Sequence, residues 1–151
     1  MATPATPTDL RAVLDAIGDT APAATALLAG LDEDALRASA PGSPSCLDIV
    51  QEMLEAGADL GSVAHDVLGH VPGAGAAYAE QATRADGAQL LRQLHYLREH
   101  IVSTVDQQGA AVWSTPTPAG RPLFAYAVDL QQRDLALLAA LRRAAAFARQ
   151  R

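Results

Sequence analysis

Apolar residues recur every three or four positions in four long stretches of the chain, which is the spacing of an amphipathic helix. Pro22 interrupts the first stretch, and a kink or restart is expected there. Ser45 with Asp48 forms a capping-box pattern at the start of the second. Asp86 can cap the third, and Pro122 suits the first turn of the fourth. The four predicted helices span residues 9–31, 45–69, 86–108 and 122–150.

Segments rich in Pro, Gly and Thr separate these helices. Residues 1–7 read as a flexible tail, and residues 8–151 then form a single domain. Four amphipathic helices joined by connections of several residues predict an all-α four-helix bundle with antiparallel neighbours. The longer connections, 70–86 and the polar loop 109–121, leave room for a crossover, so the topology stays open.

Composition supports helix-on-helix packing. Half of the chain is hydrophobic but only 4% is aromatic, and Ala and Leu are the strongest helix formers. The net charge of −6 argues against nucleic acid or an anionic membrane as a partner. A lone Cys46 excludes an internal disulfide, and no apolar run reaches the length of a membrane span, so a cytoplasmic protein is expected. At a helix start, Cys46 would have a lowered pKa.

Three stretches of the sequence carry a family resemblance: residues 27–54, the loop segment TPAGRPLFAY at 117–126, and VDLQQRDLALLAALRRA at 128–144. Together they resemble the DinB-like family, damage-inducible helical bundles that include metal enzymes and low-molecular-weight-thiol transferases. The resemblance implies a DinB-like four-helix bundle, a homodimer and a role in stress response.

The metal ligands of that family are not retained in this chain. Family members hold a metal with one His on the second helix and two on the fourth, but Glu52, Arg133 and Leu137 stand at those positions here. Leucine cannot ligate, and a guanidinium has no lone pair to give. We therefore expect no metal. An ion pair between Glu52 and Arg133 could replace the cation, or both side chains could point into solvent.

The four histidines offer little for a replacement metal site. His65 and His70, and likewise His95 and His100, are five residues apart, so neither pair shares a helix face. His65 and His95 fall away from the apolar seams and are expected in solvent. An alternative metal site that uses His70 or His100 stays open.

Asp134 falls near the centre of the apolar stripe on the fourth helix and is expected to face the interior. A buried carboxylate needs a partner, and an Arg, a His, Tyr96, Tyr126 or a hydroxyl could serve. Asp134 is then either a polar core residue that fixes helix register or a catalytic acid or base. Trp113 either anchors its loop to the core or belongs to a lid.

Three functions follow from these observations. The first is a small-molecule-binding or non-catalytic relative of the DinB-like bundles. The second is a metal-independent, thiol-dependent transferase or isomerase, with a low-molecular-weight thiol as cofactor. The third is a structural or regulatory interaction module. The candidate pocket residues are Glu52, Tyr126, Arg133, Asp134 and Leu137.

Overall fold

The computed structural model describes residues 7–68, 86–107 and 110–150. Within these ranges the chain is helical, with no strand and a single isolated bridge between Pro116 and Pro122. The all-α prediction is confirmed. The helices are α1 (Pro7–Leu28), α2 (Glu33–Arg37), α3 (Cys46–Leu68), α4 (Gly87–Gln107), α5 (Ala110–Trp113) and α6 (Leu123–Arg149).

Both predicted capping residues begin their helices. The Ser45 hydroxyl accepts from the Asp48 amide at 3.1 Å, and the Asp48 carboxylate accepts from the Ser45 amide at 2.9 Å. Asp86 and Gln89 exchange the same pair of contacts at the start of α4, at 2.8 and 3.3 Å. Each box satisfies backbone amides that a helix start leaves without partners, so local sequence sets these two boundaries.

Pro22 does not break α1, and the predicted restart is wrong. The helix continues from Pro7 to Leu28 with Pro22 on its exposed side. Residues Ile17 and Ala24, on either side of the proline, are fully buried. Packing of this continuous face against the other helices outweighs the local cost of the proline.

The segment predicted as an extended polar loop contains a short helix, α5, so the prediction is wrong at residues 110–113. Trp113 ends this helix and is buried among side chains of α1, α3 and α6. Burial of one large aromatic ring can hold a single turn that local propensity does not favour. Pro122 is the residue before α6 and not part of its first turn.

Each long helix packs against two others, in the order α1, α4, α3, α6 and back to α1. Two hydrophobic clusters fill the space between them. The first cluster contains Ala24, Val50, Leu94 and Leu141, and the second contains Leu14, Leu60, Ile101 and Leu130. All four helices contribute to both clusters.

The order of residues in the two clusters gives the direction of each helix. From the second cluster to the first, residue numbers rise along α1 and α6 but fall along α3 and α4. Neighbours α1 and α6 are therefore parallel, as are α3 and α4, whereas α1 with α4 and α3 with α6 are antiparallel. The expectation of antiparallel neighbours is therefore wrong for two of the four neighbouring pairs.

No helix among the described residues combines the length and apolarity needed to cross a membrane.

Candidate functional site

A buried polar cluster joins all four long helices. Arg98 of α4 and Asp134 of α6 form an ion pair, with their side chains 1% and 3% exposed. Arg98 Nη2 donates to Asp134 Oδ1 at 3.0 Å and to the backbone carbonyl of Met53 in α3 at 2.7 Å. The Thr20 hydroxyl of α1 donates to Asp134 Oδ2 at 2.7 Å. We call Thr20, Met53, Arg98 and Asp134 the polar cluster.

Gly57 makes room for the Arg98 side chain. A Cβ atom at this position would lie 2.9 Å from Arg98 Nε, closer than such atoms approach in folded proteins. Gly57 lies inside α3, where glycine normally costs about 1 kcal/mol relative to alanine. The close approach of the Arg98 guanidinium explains why a residue without a side chain occupies this position.

The polar cluster pairs its own buried charges within the protein. Both oxygens of Asp134 accept hydrogen bonds from protein groups, and the carboxylate is buried. The prediction that Asp134 faces the interior and finds a partner is confirmed. With four helices contributing at one level, the cluster favours a single register and a single arrangement of α1, α3, α4 and α6.

A cavity of about 470 Å³ opens between α3 and α6, at the level of the second hydrophobic cluster. Its wall combines apolar side chains with two carboxylates, two guanidiniums and two hydroxyls. We call it the α3–α6 groove, and its lining residues are Ala56, Asp59, Leu60, Ser62, Val63, Arg121, Tyr126, Asp129, Leu130 and Arg133.

One of the two guanidiniums in the groove is already paired. Arg121 Nη2 donates to Asp129 Oδ2 at 2.8 Å, and its Cζ lies 4.7 Å from the ring centre of Tyr126. The hydrogen bond to Asp129, with the charge of that carboxylate, raises the pKa of Arg121 above its usual value. Arg133 and Asp59, by contrast, have no ion-pair or hydrogen-bond partner in the part of the chain that is described.

A tight turn at residues 117–121 positions Arg121 at the groove. The Thr117 amide and hydroxyl donate to the Arg121 carbonyl at 2.9 and 2.8 Å, and the Gly120 amide donates to the Thr117 carbonyl. Gly120 adopts a φ of 86°, a left-handed conformation that other residues rarely take. The backbone that carries Arg121 is therefore held, while its side chain remains about half exposed.

The structure separates the five predicted pocket residues. Tyr126 and Arg133 line the α3–α6 groove. Asp134 belongs to the polar cluster, and Leu137 is buried in the first hydrophobic cluster. Glu52 is exposed on α3 and does not line the groove.

The proposed pair between Glu52 and Arg133 is not formed. Both side chains are exposed, and no ion pair among the described residues joins them. The sequence left two alternatives, an ion pair or two side chains in solvent, and the structure has the second. The buried carboxylate that pairs with an arginine is Asp134, and its partner is Arg98.

The residues that the DinB-like resemblance aligns with metal ligands do not form a three-ligand site. Arg133 supplies only donors, and Leu137 supplies no ligand atom. Elsewhere in the described ranges, no group of three or more His, Cys, Asp or Glu side chains is arranged to hold an ion. His70 and the side chain of His65 lie outside the described part.

Two histidines lie on α4 and both contact protein groups. His95 Nε2 lies 2.9 Å from the Thr25 hydroxyl of α1. His95 is also half-buried, whereas the sequence placed it in solvent. The ring centre of His100 lies 4.3 Å from that of Tyr96. Neither contact brings a second metal ligand near.

Cys46 is fully buried at the start of α3. Burial raises the pKa of its thiol, although its own backbone amide and the positive charge of Arg149 act in the opposite direction. The expectation of a lowered pKa from the helix start is therefore wrong, because loss of water outweighs the helix dipole here.

Trp113 is an anchor and does not cover the groove. Its side chain is 2% exposed in the second cluster, and its indole Nε1 has no hydrogen-bond partner among the described residues. It does not line the α3–α6 groove.

Sequence reasoning missed Arg98 and Arg121. Arg98 lies four residues after Leu94 and three before Ile101, on the apolar seam of α4, and a charge on such a seam is a detectable signal. Arg121 has no comparable signal, since only the folded turn brings it to Asp129.

Comparison with known proteins returns no match to any family model, any curated protein or any solved structure. The DinB-like resemblance gains no support from it.

Proposed function

We propose that this chain is a four-helix bundle that binds a small organic molecule in the α3–α6 groove. The observation that carries the proposal is the groove itself, about 470 Å³ in volume and lined by both apolar and polar side chains. Ligand sites in proteins have volumes of roughly 300–1,000 Å³ and the same mixture of apolar lining and a few polar groups.

The polar cluster supports the proposal because the buried charge of the bundle is neutralised without any side chain of the groove. The buried charge of Asp134 is neutralised by Arg98, which does not line the groove. Arg133, the residue before Asp134 in α6, is exposed at the groove and has no partner in the described ranges. A charged side chain without a structural partner at a cavity is available to a ligand.

The catalytic alternative receives less support. A metal-independent enzyme would use Asp134 or Glu52 for proton transfer, but Asp134 is enclosed by Arg98 and Thr20, and Glu52 does not line the groove. A general acid or base must reach the group that it protonates or deprotonates. A DinB-like family relationship and association into a homodimer stay predictions.

Fragment screening by NMR tests the proposed function. Fragments that bind should shift the backbone amide signals of Asp59, Ser62 and Arg133. A Ser62→Trp variant should lose these shifts, because the indole would fill the groove.

The matched control is Ser39→Trp. Ser39 lines a second cavity, of about 350 Å³, between the segment after α2 and the end of α6. This variant should bind fragments as the unmodified protein does. Shifts that cluster instead around Ser39 and Phe147, or that survive Ser62→Trp, would contradict the proposal.

A further inference from the structure

The unpaired charges of the α3–α6 groove bear on which ligands it accepts, and the inference drawn here rests on the proposed function. Two carboxylates and two guanidiniums line the groove, so its formal charge is zero. A ligand with several charges of one sign would meet as much repulsion as attraction. The groove therefore suits a ligand with no more than one net charge.

One carboxylate and one guanidinium of the groove have no partner among the described residues. Asp129 is engaged by Arg121, which leaves Asp59 as the carboxylate without a partner in the described part. On the donor side stand Arg133 and the hydroxyls of Ser62 and Tyr126. Carboxylates accept hydrogen bonds at two oxygens and match the planar guanidinium fork.

The lining of the groove also includes apolar side chains. Ala56, Leu60, Val63 and Leu130 belong to the second hydrophobic cluster or pack against it. Apolar carbons laid against these side chains leave water, and each buried methylene strengthens binding about fourfold.

We infer that the α3–α6 groove binds a monocarboxylate with an apolar tail, its carboxylate paired with Arg133 and its tail on the wall formed by Leu60, Val63 and Leu130. Arg121 stays with Asp129 and lies over the ring of Tyr126. The unpaired guanidinium of Arg133 then gives the groove its preference for an anionic head.

Three probes with the same tail and different heads test the inference by isothermal titration calorimetry: octanoate, 1-octanol and octylammonium. Octanoate should bind tightest, about tenfold more tightly than octanol, because a hydrogen bond to a charged group adds that much or more. Octylammonium should bind more weakly than octanoate, because an ammonium head cannot pair with Arg133. Shortening octanoate to hexanoate should weaken binding by up to about sixteenfold, for two methylenes.

Variants at two exposed arginines of α6 test whether Arg133 causes the preference for octanoate over octanol. Arg133→Gln should lower octanoate affinity to that of octanol and leave octanol unchanged. Arg142→Gln, at a position that does not line the groove, should change neither.

The possible failures differ from each other. Equal binding of octanoate and octanol, or tightest binding of octylammonium, would overturn the anionic preference while the groove remained a binding site. Loss of octanol binding in Arg133→Gln would show that the side chain supports the groove and does not recognise the head. Absence of binding by all three probes would overturn this inference, and the outcome of the fragment screen would then decide separately whether the groove is a binding site.

Discussion

Two arginine–aspartate pairs in this protein have the same chemistry and opposite surroundings. Arg98 and Asp134 lie in the interior with their side chains 1% and 3% exposed, whereas Arg121 and Asp129 lie at the groove with theirs 49% and 57% exposed. Water surrounds the second pair and replaces either partner at little cost. Water cannot reach the first pair, so each partner depends on the other.

The two environments distinguish charges that stabilise the fold from charges that are available to a ligand. The buried pair is completed by Thr20 and the Met53 carbonyl, so its geometry is shared among four helices. The exposed pair links only Arg121, before α6, to Asp129, within α6. A ligand can compete with the exposed pair without disturbing the packing of the helices.

Breaking the buried pair should have the largest effect. Arg98→Met leaves Asp134 as an uncompensated buried charge and should lower the free energy of unfolding by about 3–5 kcal/mol. Urea denaturation followed by circular dichroism measures it. Arg142→Met, on the exposed side of α6, is the control and should change stability little.

The double variant Arg98→Met with Asp134→Leu sharpens this test. It removes both charges and should recover most of the loss, because Thr20 retains its hydrogen bond to the Ala16 carbonyl. If the double variant is less stable than Arg98→Met, the pair contributes more than the avoidance of an orphan charge.

Filling the space beside Arg98 should have the next largest effect. Gly57→Ala brings a Cβ to 2.9 Å from Arg98 Nε, and overpacking of this kind costs about 1–3 kcal/mol. The higher helix propensity of alanine stabilises by about 1 kcal/mol, so the free energy of unfolding should fall by about 1 kcal/mol in total. Gly18→Ala in α1 meets no atom within 4 Å and should stabilise by about 0.5–1 kcal/mol. Chemical denaturation of both variants checks the sign, and a stabilised Gly57→Ala would show that Arg98 yields easily.

Cys46 provides a smaller effect that depends on pH. Burial raises the pKa of its thiol above the usual value near 9.0. Below that value the thiol is protonated in both states, so its full contribution to stability is present. Above it the unfolded chain ionises first, and stability falls until pH passes the folded pKa. Between about pH 7 and about pH 10 the unmodified protein should therefore lose more unfolding free energy than Cys46→Ala. Equal losses in urea titrations would mean that the buried thiol ionises normally.

Breaking the exposed pair should have the smallest effect. The pKa of Arg121 is also raised, but by its partner Asp129 and not by burial. Arg121→Gln should leave the thermal midpoint nearly unchanged, and in ~1 M NaCl, where charges are screened beyond about 3 Å, no difference should remain. A drop in the midpoint comparable with that of Gly57→Ala would remove the distinction between the two pairs.

Much of the helical framework could be predicted from the sequence. The capping boxes at Ser45 and Asp86 and the apolar spacing gave the starts of α3 and α4, because these signals act within a few residues. Pro22 and the segment around Trp113 were misjudged, since burial against distant helices decided both. Two of the five predicted pocket residues, Tyr126 and Arg133, line the groove, and the other three do not, because the rotation of each helix depends on its packing partners.

Helix periodicity and side-chain chemistry are local properties, so the amino-acid sequence sufficed to predict a helical chain with Asp134 buried. The folded arrangement was needed to show that α1 runs parallel to α6, that Arg98 is the partner of Asp134 and that Arg121 reaches Asp129. Contacts between residues distant in the chain depend on how the helices are arranged, and that arrangement minimises the exposed apolar area and the unpaired buried charge of the whole molecule.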